Sequence, residues 1–171
     1  YNLANCFFNA GEFKKSMNVC QEIIRINSSF YHAYNRIGLC YIKLENEEQA
    51  IDFFEKSIKV NHDYLEGLTN YGFALQKLKN YSLAAVQFEK VLTKNPISEE
   101  AFVNLIKVYF DDGRLQKSIE IARQGLSLNP KSIPILKNLI SSLVLLNRLG
   151  EASLACKEIL SINSDDAETI N

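Results

Sequence analysis

Residues 34–41 read YNRIGLCY, and a related octet returns every thirty-four residues: LTNYGFAL at 68–75, FVNLIKVY at 102–109 and LKNLISSL at 136–143. Small residues recur with the same period later in each repeat, at Ser16, Ala50, Ala84, Ser118 and Ala152. No insertion or deletion breaks this register across five repeats. A fixed period of this length is typical of a solenoid, in which each repeat packs against its neighbours.

Each repeat contains two helical patterns. In the second repeat, apolar residues at spacings of three and four form two stripes, which predicts helices at roughly residues 32–44 and 48–60. The short break between them makes the two helices pack antiparallel, as a hairpin. Because one hairpin cannot bury both of its faces, the sequence predicts an all-α solenoid of stacked antiparallel helix pairs.

The repeats set the expected domain organisation. We predict a single array with repeats at roughly 1–30, 31–64, 65–98, 99–132 and 133–166, followed by the start of a further helix at 167–171. An asparagine stands where the second helix of each repeat must stop, at Asn27, Asn61, Asn95, Asn129 and Asn163. Asparagine tolerates the left-handed backbone conformation that is common just past a helix end. Tyr1 is not preceded by Met and already lies in a helical pattern, so we expect a fragment of a longer protein.

The composition argues against several classes of function. The net charge of −1 supplies no basic field for a phosphate backbone, so we expect no nucleic-acid partner. No run of about eighteen apolar residues is present, so we expect no insertion into a membrane. The four cysteines lack zinc-site spacing, which favours reduced thiols and a cytoplasmic location. No catalytic or phosphate-binding motif occurs, so we expect no enzymatic activity, cofactor or metal in this fragment.

The order of residues within a repeat resembles the tetratricopeptide repeat (TPR) family over essentially the whole chain. The second repeat carries the family's pattern at Tyr34, Ile37, Gly38, Tyr41, Ala50 and Phe54. The resemblance implies a right-handed superhelical α-solenoid whose first helices line a concave groove, and it implies a protein-binding function. Ile106 and Ile140 replace the glycine in the fourth and fifth repeats, which predicts slightly wider helix packing there.

One polar residue recurs on the first helices, just before the Leu-Gly pair of the pattern. This row consists of Asn2, Asn70, Asn104 and Asn138, with Arg36 in the second repeat. An amide offers one acceptor and two donors, so the row can pair with the main chain of an extended peptide. The row is similar to that of the protein O-linked N-acetylglucosamine transferases, where it holds the polypeptide to be modified. A structural role, with the amides bonded to neighbouring helices, is the open alternative.

Other first-helix residues complete the predicted peptide-binding site. Leu39, Phe73 and Phe110 lie off the main apolar stripe, where exposed apolar groups favour a binding surface. Lys77, Lys107 and Lys137 add positive charge, although such lysines are also typical of a solvated face.

The leading hypothesis is a module that binds an extended peptide or a partner helix of another protein. The first alternative is the substrate-recruiting region of a larger enzyme, such as a glycosyltransferase. The second is a self-associating scaffold, which makes a homo-oligomer possible.

Overall fold

The computed structural model describes the backbone of residues 1–169 and the side chains of residues 1–162. Over these residues the chain forms ten helices and no strand, which confirms the predicted all-α repeat fold. The helices are α1 Asn2–Asn9, α2 Phe13–Ile26, α3 Tyr31–Lys43, α4 Glu47–Val60, α5 Leu65–Lys77, α6 Tyr81–Lys94, α7 Glu99–Asp111, α8 Leu115–Leu128, α9 Ile133–Leu145 and α10 Leu149–Thr169.

The helices divide into two compact parts, an N-terminal part of Tyr1–Lys94 and a C-terminal part from Asn95 onward. Three residues join the two helices of every pair, and four residues join one pair to the next. Within the N-terminal part, α2 packs on α3 and α4 packs on α5, so the three pairs stack in chain order. Within the C-terminal part, α8 packs on α9 in the same way.

Small residues stand where the helices of a pair cross closely. The five recurring small residues are buried in all repeats. Two of them are serines whose hydroxyls bond across the crossing: Ser16 Oγ donates to Ala4 O at 2.8 Å, and Ser118 Oγ donates to Ile106 O at 3.2 Å. A larger side chain at these places would push the backbones apart.

Glycine on a first helix makes room for phenylalanine on the second. A Cβ added to Gly38 would lie 2.6 Å from Phe54 Cε1, and one added to Gly72 would lie 2.8 Å from Phe88 Cζ. Both phenylalanines are fully buried. In the fourth repeat the large residue is on the first helix and the small residue is on the second. Ile106 takes the place of the glycine and Ala122 takes the place of the phenylalanine, and both residues are fully buried.

The predicted left-handed backbone of the helix-ending asparagines is wrong. Asn27, Asn61 and Asn129 do end helices, but their φ values are −141°, −136° and −135°, so none of them has a left-handed backbone. Their side chains explain the preference. Asn27 Oδ1 accepts from Ser29 N at 3.0 Å, and Asn61 Oδ1 accepts from Asp63 N at 3.1 Å. These are Asx turns, which replace the backbone pairing lost at the helix end.

The left-handed conformation occurs instead inside each pair, in the link between its two helices. It recurs with the repeat period at Gly11, Glu45, Lys79, Gly113 and Asn147, with φ between 56° and 77°. Glycine adopts this conformation without steric cost, whereas a residue with a Cβ is strained there.

We expect Lys79→Gly to stabilise the protein and Gly113→Ala to destabilise it, each by about 1 kcal/mol. The reason is the backbone alone, because φ is 59° at Lys79 and 75° at Gly113. Urea unfolding followed by circular dichroism measures both changes. Lys79→Ala is the matched control, since it removes the side chain but keeps the Cβ, and it should leave the free energy of unfolding unchanged. A fall in stability on Lys79→Gly would contradict the account.

The last helix differs from the prediction. Helix α10 runs from Leu149 to Thr169 and passes Asn163, where the repeat pattern predicts a helix end. Residues 170 and 171 of the predicted further helix lie outside the described residues. Cys156 takes the second-helix position that Phe54 and Phe88 fill in earlier repeats, which predicts a core residue. It is exposed instead, because α10 packs mainly on α9 among the described helices, whereas α4 packs on both α3 and α5.

Candidate functional site

The predicted site residues lie on the first helix of each pair. We call the predicted site residues of each part its first-helix face: Asn2, Arg36, Leu39, Asn70, Phe73 and Lys77 in the N-terminal part, and Asn104, Lys107, Phe110, Lys137 and Asn138 in the C-terminal part. Asn2, on α1, is exposed.

Asn70 is held by a buried amide on the preceding first helix. Its Nδ2 donates to Asn35 Oδ1 at 3.0 Å, and Asn35 is only 1% exposed. Asn35 Nδ2 in turn donates to Tyr64 Oη at 3.1 Å and to Glu66 Oε1 at 3.2 Å. Tyr64 Oη donates to Glu66 Oε2 at 2.9 Å. Asn70 therefore has a structural bond between α3 and α5, which supports the structural alternative for one N–H of its amide.

Aromatic rings surround this network at the start of the first helices. His32 stacks on Tyr31, with ring centroids 4.1 Å apart, and its ring lies 5.1 Å from that of Tyr64 and 5.3 Å from that of Phe30. Tyr1 packs edge-on against Phe30 at 5.3 Å. Burial raises the pKa of the Tyr64 phenol, and its bond to Glu66 raises it further, so the phenol is a hydrogen-bond donor.

Arg36 lies on the rings of α1. Its guanidinium carbon is 4.6 Å from the ring centroid of Phe8 and 5.9 Å from that of Tyr1. The residue is half-buried, and its Nε is buried without an acceptor among the described residues. Burial raises the pKa of the Tyr1 phenol, while the nearby Arg36 charge opposes that rise. The guanidinium is thus held by aromatic contacts and not by the amide bonding seen at Asn70.

The other N-terminal residues of the predicted site have different surroundings. Leu39 is half-buried and packs against the core cluster of Ala50, Phe54 and Ala74. Phe73 is 43% exposed, and Lys77 Nζ lies 5.6 Å from its ring centroid and 3.6 Å from Glu47 Oε1. Phe73 therefore presents open apolar surface, while most of Leu39's apolar contact is with the core.

In the C-terminal part the two asparagines are half-buried and differ in bonding. Asn138 Nδ2 donates to Pro134 O of its own helix at 2.8 Å. The Asn104 side chain has no hydrogen bond to any described residue. Lys107 and Lys137 are exposed, and Phe110 is half-buried.

Sequence reasoning missed Asn35, the most connected polar side chain of the N-terminal part. Its place in the repeat is taken elsewhere by Tyr1, Thr69, Val103 and Lys137, so no periodic signal marks it. His32 stands at the start of a first helix, which predicts a solvated or capping role. The structure instead places it, half-buried, in the aromatic cluster.

Two open crevices lie away from the first-helix face. One of about 520 Å³ is lined by α4, α5 and α6 residues that include Ile58, Tyr71 and Gln87. Another, of about 440 Å³, is lined by residues of α8, α9 and α10 that include Leu126, Leu139 and Ala155. These residues occupy matching repeat positions, so the same crevice between second helices recurs in both parts.

Over residues 1–169, no helix combines the length and the apolar character that a membrane span requires. No cluster of three or more His, Cys, Asp or Glu side chains in the described part of the chain could hold a metal ion.

Comparison with known proteins gives a repeat match and a fold. Residues 31–64 match the family model described as tetratricopeptide repeat. A crystal structure of MamA aligns with a TM-score of 0.86 at 17% identity, over 98% of this chain and 98% of that one. MamA 41-end from Desulfovibrio magneticus RS-1 aligns with a TM-score of 0.79 at 21% identity, over 98% and 93%.

A third structure is YrrB, described as a TPR protein with an unusual peptide-binding site. It aligns with a TM-score of 0.77 at 20% identity, over 96% of this chain and 84% of that one. At such identities these likenesses concern the fold alone. A comparison with curated proteins gave no match.

Proposed function

We propose that this chain, a tetratricopeptide-repeat protein, binds an extended segment of another protein on the first helices of its repeats. The role is one of binding without catalysis. The five-repeat division predicted from the sequence belongs to the same proposal, because each repeat supplies one first helix.

The proposal rests on one observation, the bonding state of the asparagine row. The side-chain oxygens of Asn2, Asn70, Asn104 and Asn138 accept no hydrogen bond from any described residue, although Asn70 and Asn138 each use one N–H. An amide oxygen that accepts nothing from its own protein can receive a main-chain N–H of a ligand. The remaining amide N–H groups can donate to carbonyl groups of the ligand's main chain. Each Asn can therefore pair with a peptide whatever the peptide's side chains are.

Two further features support the proposal. Phe73 presents 43% of its surface beside the cationic Lys77, which suits an apolar side chain of a bound segment. YrrB, which shares the fold, is described as having a peptide-binding site.

The test starts with selection of short random peptides displayed on phage against the whole chain. We expect selected peptides to bind the Asn104→Ala/Asn138→Ala variant about tenfold more weakly, since each lost hydrogen bond is worth about 0.5–1.5 kcal/mol. Fluorescence anisotropy measures the affinity. We expect the melting temperature to change little, because Asn104 has no side-chain bond to a described residue and Asn138 bonds only its own helix.

The matched control is Asn18→Ala, which removes an exposed asparagine from the second helix α2. It should leave peptide affinity unchanged. Equal affinity of the control and the double variant would show that the first-helix face is not the binding surface, and failure to select any peptide would count against the function itself.

Self-association is a second candidate, and exposed leucines of α10 favour it. Leu149, Leu154 and Leu160 are each more than half exposed. Light scattering in the same experiment, with and without selected peptide, distinguishes the two functions. A mass that doubles without peptide, and falls when Leu154→Glu is introduced, would support self-association; a monomer at all concentrations would reject it.

We also propose a reducing location such as the cytoplasm. Its support is the cysteines, because all four are free. Cys20 and Cys40 are fully buried, and burial raises the pKa of the Cys20 thiol to about 11. Mass spectrometry of the protein isolated from cells under alkylating conditions would show four alkylated thiols; an oxidised Cys6 or Cys156 would contradict the proposal.

A further inference from the structure

Arg36 interrupts the asparagine row, and its contacts indicate which chemical group it could bind. A guanidinium has donors only, so it cannot receive a main-chain N–H as the asparagines can. It differs from most other arginines of the chain in lacking an acidic partner. Arg25, Arg123 and Arg148 each form a salt bridge with a glutamate, whereas no described carboxylate pairs with Arg36.

The nearby acidic side chain is already engaged. Both carboxylate oxygens of Glu66 receive donors, from Asn35 Nδ2 at 3.2 Å and from Tyr64 Oη at 2.9 Å. The Arg36 charge is felt in this network, since it opposes the rise in pKa of the Tyr64 phenol. The guanidinium is therefore near the network without closing a salt bridge to it.

The aromatic contacts orient Arg36 for a ligand. Tyr1, which precedes α1 directly, lies on the same side as Asn5 and Phe8 of that helix, because the three are spaced by four and three residues. Stacking against rings holds a planar guanidinium flat and leaves its edge nitrogens to donate outward. We call Tyr1, Asn5, Phe8 and Arg36 the Arg36 cradle.

Two polar atoms of the cradle lack partners. Arg36 Nε is a buried donor without an acceptor, and Asn5 Oδ1 is a buried acceptor without a donor, among the described residues. Both atoms are enclosed by protein, so they are not themselves ligand contacts; they show that the protein leaves the half-buried Arg36 charge incompletely compensated, which is costly. A carboxylate at the terminal nitrogens of the guanidinium supplies the missing negative charge, and a peptide with an acidic residue offers one.

We infer that the Arg36 cradle binds the side-chain carboxylate of an aspartate or glutamate within the segment held on the first-helix face, so that this face selects acidic peptides. The inference rests on the proposed function. An internal carboxylate is favoured over a chain terminus for a structural reason. Arg36 lies on the middle first helix of the N-terminal part, between Asn2 on α1 and Asn70 on α5, so a segment paired with both continues on either side of it.

The test uses the peptides selected from the phage library on the wild-type chain. We expect an aspartate or glutamate to be enriched at one peptide position. Replacing that residue with its amide, or Arg36 with Met, should each weaken binding about tenfold, because a charge-assisted bond is worth about 1.5–3 kcal/mol. Combining the two changes should weaken it no further. Arg36→Lys should recover part of the affinity but not the bidentate pairing.

The matched control is Lys56→Met. Lys56 Nζ also lies over a ring, 4.8 Å from the Phe53 centroid, but on the second helix α4. It should leave both affinity and the acidic preference unchanged. Melting curves of Arg36→Met and Arg36→Lys report any loss of folding, and Arg36→Lys keeps the test decisive if Arg36→Met unfolds.

Three outcomes would overturn the inference. Peptides selected without any acidic preference would reject the cradle and leave the proposed function standing. Loss of binding on C-terminal amidation, with no effect of the side-chain amide, would assign Arg36 to a chain terminus. Failure to select any peptide would reject the proposed function and the cradle with it.

Discussion

The double substitution Gly72→Ile/Phe88→Ala is expected to be much more stable than the sum of its single changes predicts. Phe88→Ala alone should lower the free energy of unfolding by about 3–5 kcal/mol, because it empties a fully buried site. Gly72→Ile alone should lower it by about 1–3 kcal/mol, because even a Cβ at Gly72 would lie 2.8 Å from Phe88 Cζ. Both losses of stability arise because the Phe88 ring packs against the space left by the missing side chain of Gly72.

The fourth repeat supplies the design for the double variant. Ile106 and Ala122 occupy the places of Gly72 and Phe88, and both are fully buried in the same pair of helices. Moving the bulk from the second helix to the first fills the volume that Phe88→Ala vacates and removes the ring that an isoleucine would strike. Isoleucine also favours a helix interior more than glycine does. We therefore expect a coupling of about 2–3 kcal/mol between the two sites.

Urea unfolding of the wild type, both single variants and the double variant measures this coupling. The control combines Phe88→Ala with Gly11→Ala. Gly11 has a φ of 77° and nothing within 4 Å of an added Cβ, so its substitution costs backbone strain only and should simply add. Additive losses in the Gly72 and Phe88 pair would show that the fourth repeat does not use the same packing.

Much of the fold could be predicted because its determinants recur. Helix boundaries follow from apolar spacing, and the second repeat's predicted helices at 32–44 and 48–60 are observed at Tyr31–Lys43 and Glu47–Val60. The small residues mark the helix crossings because only they allow close backbone approach. We did not predict from the sequence that Ile106 and Ala122 exchange the large and the small residue of the pair, because each position taken alone shows only a change in side-chain size. The exchange becomes visible when the two positions, sixteen residues apart, are compared together between repeats.

Other features escaped the sequence analysis for definable reasons. The left-handed residue of each link is glycine in only two of the five repeats. Glu45 and Lys79 are not residues that indicate a left-handed backbone, so the sequence does not reveal it there. Asparagine at the helix ends suggested the left-handed conformation, but its side chain serves there as an acceptor for an Asx turn. The exposure of Cys156 depends on what packs against α10, which the spacing of residues within a repeat does not specify.

The candidate site was predictable in composition but not in bonding. The period identifies the asparagine row, yet it does not reveal that Asn70 is bonded to Asn35 while Asn104 has no bond to a described residue. The difference arises because Asn35 occurs once and its partners Tyr64 and Glu66 come from the following repeat. Asn70 therefore has a structural bond that Asn104 lacks, and we expect Asn104 to be the cleaner probe of the proposed binding.

Asn35→Ala is expected to lower the free energy of unfolding by about 1–3 kcal/mol. The amide is 1% exposed and makes three hydrogen bonds, to Tyr64 Oη, Glu66 Oε1 and Asn70 Nδ2. Alanine would leave those three groups without their buried partner between α3 and α5. The loss should exceed that of an ordinary surface change, which stays within about 0.5 kcal/mol.

Two variants isolate the cause. Asn104→Ala removes a half-buried asparagine that has no side-chain bond to a described residue, so it should change stability by less than about 0.5 kcal/mol. Tyr64→Phe removes one partner of the network, and its effect should shrink in the Asn35→Ala background, because the bond it deletes is already lost. Thermal and urea unfolding of these variants decide the matter. Equal, small effects of Asn35→Ala and Asn104→Ala would mean that the amide network does not stabilise the stacking of α3 on α5.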